Sequence, residues 1–148
     1  MTPQDLMVHN RVIFTHFDSY SVALLFPRWD KTLLWPQALP DTAAPMPPPT
    51  EQGPQWSAEA VTRAVVERCG LNADDLVHVG AFEHWAQTPT GPVRIHLLRF
   101  TTPDAPKAEM QALGGVFKAL SELRASAMSE LLLLREVFNL IVGAGSGT

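Results

Sequence analysis

The side chains with chemistry to offer in this sequence are its histidines, its tryptophans and a few carboxylates and arginines. The histidines are His9, His16, His78, His84 and His96, and none sits in an H-E-x-x-H or comparable ligand spacing. His84 and His96 fall on neighbouring predicted strands. A pair of ring nitrogens without a third ligand is a poor zinc site, so the histidines read as ordinary, partly buried residues. Cys69 is the single cysteine, which excludes an internal disulfide and most cysteine-based zinc centres. No G-x-S-x-G nucleophile turn and no phosphate-cradling glycine loop is present. Three of the four tryptophans (Trp29, Trp35, Trp56, Trp85) flank or lie in a proline-rich stretch or the turn before it. An indole exposed beside a cleft stacks on flat ligands, and Trp35 and Trp85 are the candidates for that role.

The chain that positions them has 148 residues, 46% hydrophobic and 18% charged, which is the composition of a folded globule rather than a disordered tail. Its formal net charge of −4 and its lack of a basic run argue against binding to a nucleic-acid backbone. The most apolar stretch, Met128 to Val142, contains Glu130, Arg135, Glu136 and Asn139, and falls short of the roughly 20 apolar residues of a membrane span. The N-terminus has no basic region followed by an apolar one, so no signal peptide is expected. With a lone cysteine, this points to a cytoplasmic protein.

Seven of the thirteen prolines lie between Pro36 and Pro54. Each fixes φ and removes a donor, so this segment is neither an interior helix nor a central strand. The residues before it are too few for an independent domain. Residues 36–56 therefore read as a stiff loop inside one domain spanning 1–148, and such loops often border a site. Arg11–Phe17, Tyr20–Phe26 and Thr32–Trp35 read as strands, with Asp18–Ser19 and Pro27–Lys31 as turns. Ser57–Gly70 has apolar residues at helical spacing, Ser57 placed as N-cap and Gly70 as a left-handed stop. Leu76–Trp85 and Val93–Thr101 read as strands joined through Pro89–Gly91, and Val116–Leu120 as a short strand. Ser121 to Val142 reads as a docked helix, with a flexible tail over 143–148. The expected fold is α/β (α+β), a mixed sheet flanked by helices. The Leu131–Leu134 run spreads apolar side chains over more than one helix face, which suits a homodimer or a partner interface.

The stretch Arg63-Ala64-Val65-Val66-Glu67-Arg68-Cys69-Gly70-Leu71 resembles the signature of the Nudix hydrolase family, G-x5-E-x7-R-E-U-x-E-E-x-G-U, with U a bulky apolar residue. Arg63, Val65, Glu67, Gly70 and Leu71 match it. Ala64 and Arg68 replace glutamates of the pattern, and its first Gly and upstream Glu fall on Pro49 and Gln55. The element order is similar to the Nudix α/β/α sandwich, and Glu109 followed by Gly115–Leu123 resembles the family's late segment.

The resemblance implies a helix face of carboxylates at positions 64, 67 and 68 that collects Mg²⁺ or Mn²⁺ for pyrophosphate hydrolysis. Here Ala64, Glu67 and Arg68 give that face a net charge of zero, so no metal or other cofactor is expected, with Glu67 the ligand if there is one. The implied function is a degenerate Nudix domain that has lost normal hydrolase activity and acts as a ligand-binding or protein-interaction module. In that setting Arg63 and Arg68, with Trp35 and Trp85, are candidates to bind a nucleotide or another phosphorylated small molecule. Two alternatives follow. One is an atypical hydrolase of nucleoside-diphosphate-linked substrates that uses Glu67 and Glu109 with Mg²⁺ or Mn²⁺. The other is an assembly subunit docking through its C-terminal helix.

Overall fold

A computed structural model describes residues 3–143; the flexible tail expected over 143–148 lies, beyond Gly143, outside the described residues. Seven strands form one mixed sheet: β1 (Asn10–Asp18), β2 (Ala23–Trp29), β3 (Ala44–Met46), β4 (Leu76–His78), β5 (His84–Thr88), β6 (Gly91–Phe100) and β7 (Gly115–Ala119). Their order is β3-β5-β6-β1-β2-β7, with β4 pairing β6 beyond β5. Among the described residues one pairing is parallel, that of β1 with β6, Val12 opposite His96. The helices are α1 (Pro3–Leu6), α2 (Ala58–Cys69), α3 (Lys107–Ala112) and α4 (Met128–Phe138).

Side chains alternate across the sheet, and its two faces carry separate cores. Val12, Phe14, Leu98 and Phe100 pack against Val61 and Val65 of α2 and Met110 of α3. Ile13, Leu24, Phe26, Ile95 and Leu97 pack against Leu133, Leu134 and Val137 of α4. The sheet is thus covered on both sides by helices. The run VIF in β1 and HLL in β6 is apolar or buried at successive positions because both faces of these central strands are enclosed.

Helix α2 forms where its caps dictate. The Ser57 hydroxyl accepts the N–H of Ala60, Gly70 takes a left-handed φ of 66°, and the Leu71 N–H returns to the Val66 carbonyl at 3.0 Å.

Several boundaries differ from the sequence reading. Strand β2 starts at Ala23, not Tyr20, and continues through Pro27–Trp29, which read as a turn. Pairing with β1 ends at Leu25, so Pro27 lies where β2 is bonded on one side only, a position that tolerates a missing donor. The turn itself is Asp30–Lys31, closed by two backbone bonds between Trp29 and Thr32 and helped by Asp30 at φ 60°. Thr32–Trp35 is not a strand; it makes only isolated bridges, including paired 2.9 Å bonds between Val12 and Trp35. The proline segment is not all loop, since Ala44–Met46 pairs with β5 as an edge strand, where Pro45 costs no interior bond. Leu76–Trp85 is two strands, β4 and β5, separated by a turn in which the Phe82 N–H reaches the Val79 carbonyl. The last helix begins at Met128 rather than Ser121, after a single 3₁₀ turn at Leu120–Leu123, and α3 was not foreseen.

Candidate functional site

The residues singled out on α2 do not converge on an open site. Arg63 is exposed and pairs with Glu59 one turn back at 3.1 Å, not with Glu67 one turn forward. Ala64 is 4% exposed and belongs to the buried side of the helix. Glu67 and Arg68 are exposed, and the Arg68 guanidinium lies 5.0 Å from the centre of the Trp35 ring. Glu109 is exposed in the first turn of α3. No hydrogen bond or ion pair joins it to Glu67 among the described residues, and no group of three or more His, Cys, Asp or Glu side chains there is placed to hold a metal ion.

The two candidate stacking indoles are not exposed. Trp35 is 7% and Trp85 3% accessible, because each is claimed by packing. Trp35 meets Phe14 edge-on. Trp85 meets Trp56 edge-on at 5.2 Å and donates its Nε1–H to Glu83 at 3.1 Å. That bond is the main reason the Glu83 carboxyl is held below its ordinary range. Arg94 lies over the other side of this cluster, 5.9 Å from the Trp85 ring, and donates to the Trp56 carbonyl.

The histidine pairing is also different from that expected. His84 faces the α4 side, its ring 4.6 Å from that of Phe82. It is His78 that meets His96, Nε2 to Nδ1 at 2.9 Å, while His96 Nε2 contacts Asn10 Oδ1 at 2.7 Å. The Asn10 amide nitrogen is committed as donor to the Leu6 and Gln55 carbonyls. Its oxygen therefore accepts, His96 carries its proton on Nε2, and His96 Nδ1 accepts from His78 Nε2–H. Burial, then the charge of Arg94, then that of His78 push the His96 pKa down to about 2; burial and Arg94 also lower that of His78. The chain is a neutral structural wire that ties β4, β6, β1 and the end of the proline segment together.

A recess lies on the opposite face of the sheet, bordered by the proline segment that the sequence marks as a site-bordering loop. It is a cavity of about 840 Å³ between the proline segment, β5, β6 and the start of α4. Leu34, Leu39 and Pro45 wall it on one side, Ala86 and Ile95 form its floor, and Leu132 and Leu133 close it from α4. Its size falls in the range of small-molecule sites. Glu130, 7% exposed, borders it from the first turn of α4. One carboxylate oxygen accepts from Thr32 Oγ1 at 2.6 Å and the other from the Leu33 N–H at 2.9 Å. The helix N-terminus favours the negative charge there. Of the site residues singled out in the sequence, Trp85 lines the cavity, whereas Trp35, Arg63, Glu67, Arg68 and Glu109 do not. A second, shallower groove of about 600 Å³ runs between β2, β7 and the end of α4, with Arg124 and Arg135 on its rim.

Compared with known proteins, the sequence matches no family model and no curated protein.

Proposed function

We propose that this chain is a ligand-binding module built on a Nudix-like frame, working without a divalent ion, and that its ligand occupies the cavity under the proline segment. The observation that carries the reading is that cavity, an apolar recess of about 840 Å³ closed by a stiff loop on one side and a helix on the other. The Nudix-like frame is supported by the element order and by a mixed sheet with α2 on one face and α4 on the other. Loss of metal-dependent hydrolysis is supported by the state of the α2 face. Ala64 is packed inward, Arg68 covers Trp35, and Glu67 stands as a lone carboxylate. One carboxylate beside one guanidinium offers little to a hard dication.

A thermal-shift panel of nucleotides and small amphiphiles, run with Mg²⁺, Mn²⁺ or EDTA, tests this. Stabilisation that EDTA leaves unchanged supports the module. Stabilisation that needs the metal, accompanied by phosphate release, supports a hydrolase using Glu67 and Glu109 instead.

A second reading, self-association through α4, is favoured by Met128 and Leu132, one turn apart and 70% and 54% exposed. Sedimentation equilibrium across a concentration series distinguishes a dimer from a monomer.

A further inference from the structure

We infer that the cavity selects an apolar ligand carrying a positive charge, such as a primary amine on a flat hydrocarbon body, and rejects phosphorylated ligands. This rests on the reading of the cavity as the ligand site and adds the class of ligand. The charged residues that line it are Asp30, Asp41 and Glu130 with Lys31, three carboxylates and one ammonium, for a formal net charge of −2, and the His84 imidazole lines it as well. Asp30, Asp41 and Lys31 are exposed at the rim, whereas Glu130 is buried in the wall. No salt bridge neutralises Glu130 among the described residues.

Glu130 has a structural task, fastening α4 to Thr32 and Leu33, but that task uses one acceptor site on each oxygen. An ionised carboxylate has about four such sites, so capacity remains for a donor arriving from the cavity. An ammonium placed there makes a charge-assisted hydrogen bond in a water-poor setting, where such bonds are strongest. A phosphate in the same place meets a buried like charge, with one exposed lysine to offset it. Much of the remaining wall is hydrocarbon, from Leu34, Ile95 and Leu133 among others, beside the polar Gln37, His84 and Ser129, and the hydrocarbon supplies affinity for the body of the ligand without regard to charge.

Three probes of one shape separate these contributions: tryptamine, its neutral alcohol analogue tryptophol, and the anion indole-3-propionate, each titrated calorimetrically into the full chain. The expected order is amine, then alcohol, then acid, with the amine favoured over the acid by about tenfold or more. Glu130→Gln keeps a carbonyl acceptor while removing the charge. It should abolish most of the amine preference and leave tryptophol binding within about twofold. Should Glu130→Gln fail to fold, judged by its melting curve, Asp30→Asn with Asp41→Asn alters the rim alone and should lower the amine preference while sparing the core. Binding of the acid at least as tight as that of the amine overturns this inference while leaving the cavity reading in place. So does an amine preference untouched by removing the carboxylate charges. Absence of binding by all three probes to the folded protein overturns both.

Discussion

Acidification should destabilise this protein well above the pH at which its carboxylates titrate, and the cause is His96. In the folded state its Nδ1 already accepts the His78 proton, its ring is buried, and Arg94 stands nearby. Adding a proton places a positive charge on a ring buried away from solvent and near Arg94, and makes Nδ1 a donor where it had accepted. The folded pKa is about 2 against 6.5 for the free side chain. The sign follows directly: with the folded value depressed, the unfolded chain binds more protons below the free value, so stability is complete above about pH 6.5 and declines as the pH falls. Each pH unit below that point costs about 1.4 kcal/mol, so near pH 5 the loss from His96 alone is about 2 kcal/mol. His78, lowered by burial and Arg94, adds to it in the same direction. Urea unfolding at a series of pH values between about 8 and 5 measures this as a falling midpoint at constant slope. His96→Gln, which retains a donor for Asn10 and an acceptor for His78, should be less stable than wild type at neutral pH and should decline less steeply across the window, the remaining slope coming from His78. A flat profile in the wild-type protein, or an unchanged slope in His96→Gln, would refute the assignment of these two rings as a neutral pair.

Other expected outcomes are read by the same unfolding measurements. Gly115→Ala should cost about 1–3 kcal/mol, because a Cβ at that position would come within 2.6 Å of the Trp29 ring; an unperturbed midpoint would mean that the ring is free to move. Leu134→Ala, at a side chain 2% exposed between α4 and the sheet, should cost about 2–5 kcal/mol. Glu59→Gln breaks an ion pair between exposed side chains and should change stability by less than about 0.5 kcal/mol. Ala64→Glu places a carboxylate on the packed side of α2 and should destabilise by about 3–5 kcal/mol. Mn²⁺ should not restore its melting temperature; recovery on adding Mn²⁺ would mean that this helix face can still assemble a metal site.

How far the sequence could be read depended on whether local or distant partners decided each element. Helix α2 was legible in full because its signals are local: Ser57, the apolar spacing through Val65, and Gly70. The hairpin at Thr88–Gly91 and the strand at Gly115–Ala119 were legible for the same reason. Thr32–Trp35 has β-like residues but finds only bridging partners, and Pro27 continues a strand because β1 has already turned away. Neither fact is visible without the pairing. Periodicity and turn chemistry gave no hint of α3, a helix of six residues.

Site residues divided along similar lines. Trp35, beside Pro36, and Trp85, on a predicted strand, read as candidate exposed indoles, yet the proline segment folds back so that Trp56 covers Trp85, and α2 brings Arg68 onto Trp35. Alternation along β5 and β6 puts His84 and His96 on opposite faces, and the separate short strand β4 brings His78 to His96 instead. Glu130 carried no signal: a glutamate in an apolar stretch looks like a solvated interruption until Thr32 and Leu33, about 100 residues away in sequence, are seen to bond it. The cavity joins three separate stretches of chain and has no local motif.

Metal-independent binding in the cavity is tested most directly by one comparison, a calorimetric titration of the unmodified chain with tryptamine in Mg²⁺ and again in EDTA. The expected result is a single site with the same affinity in both. Binding that disappears when the divalent ion is removed would contradict it.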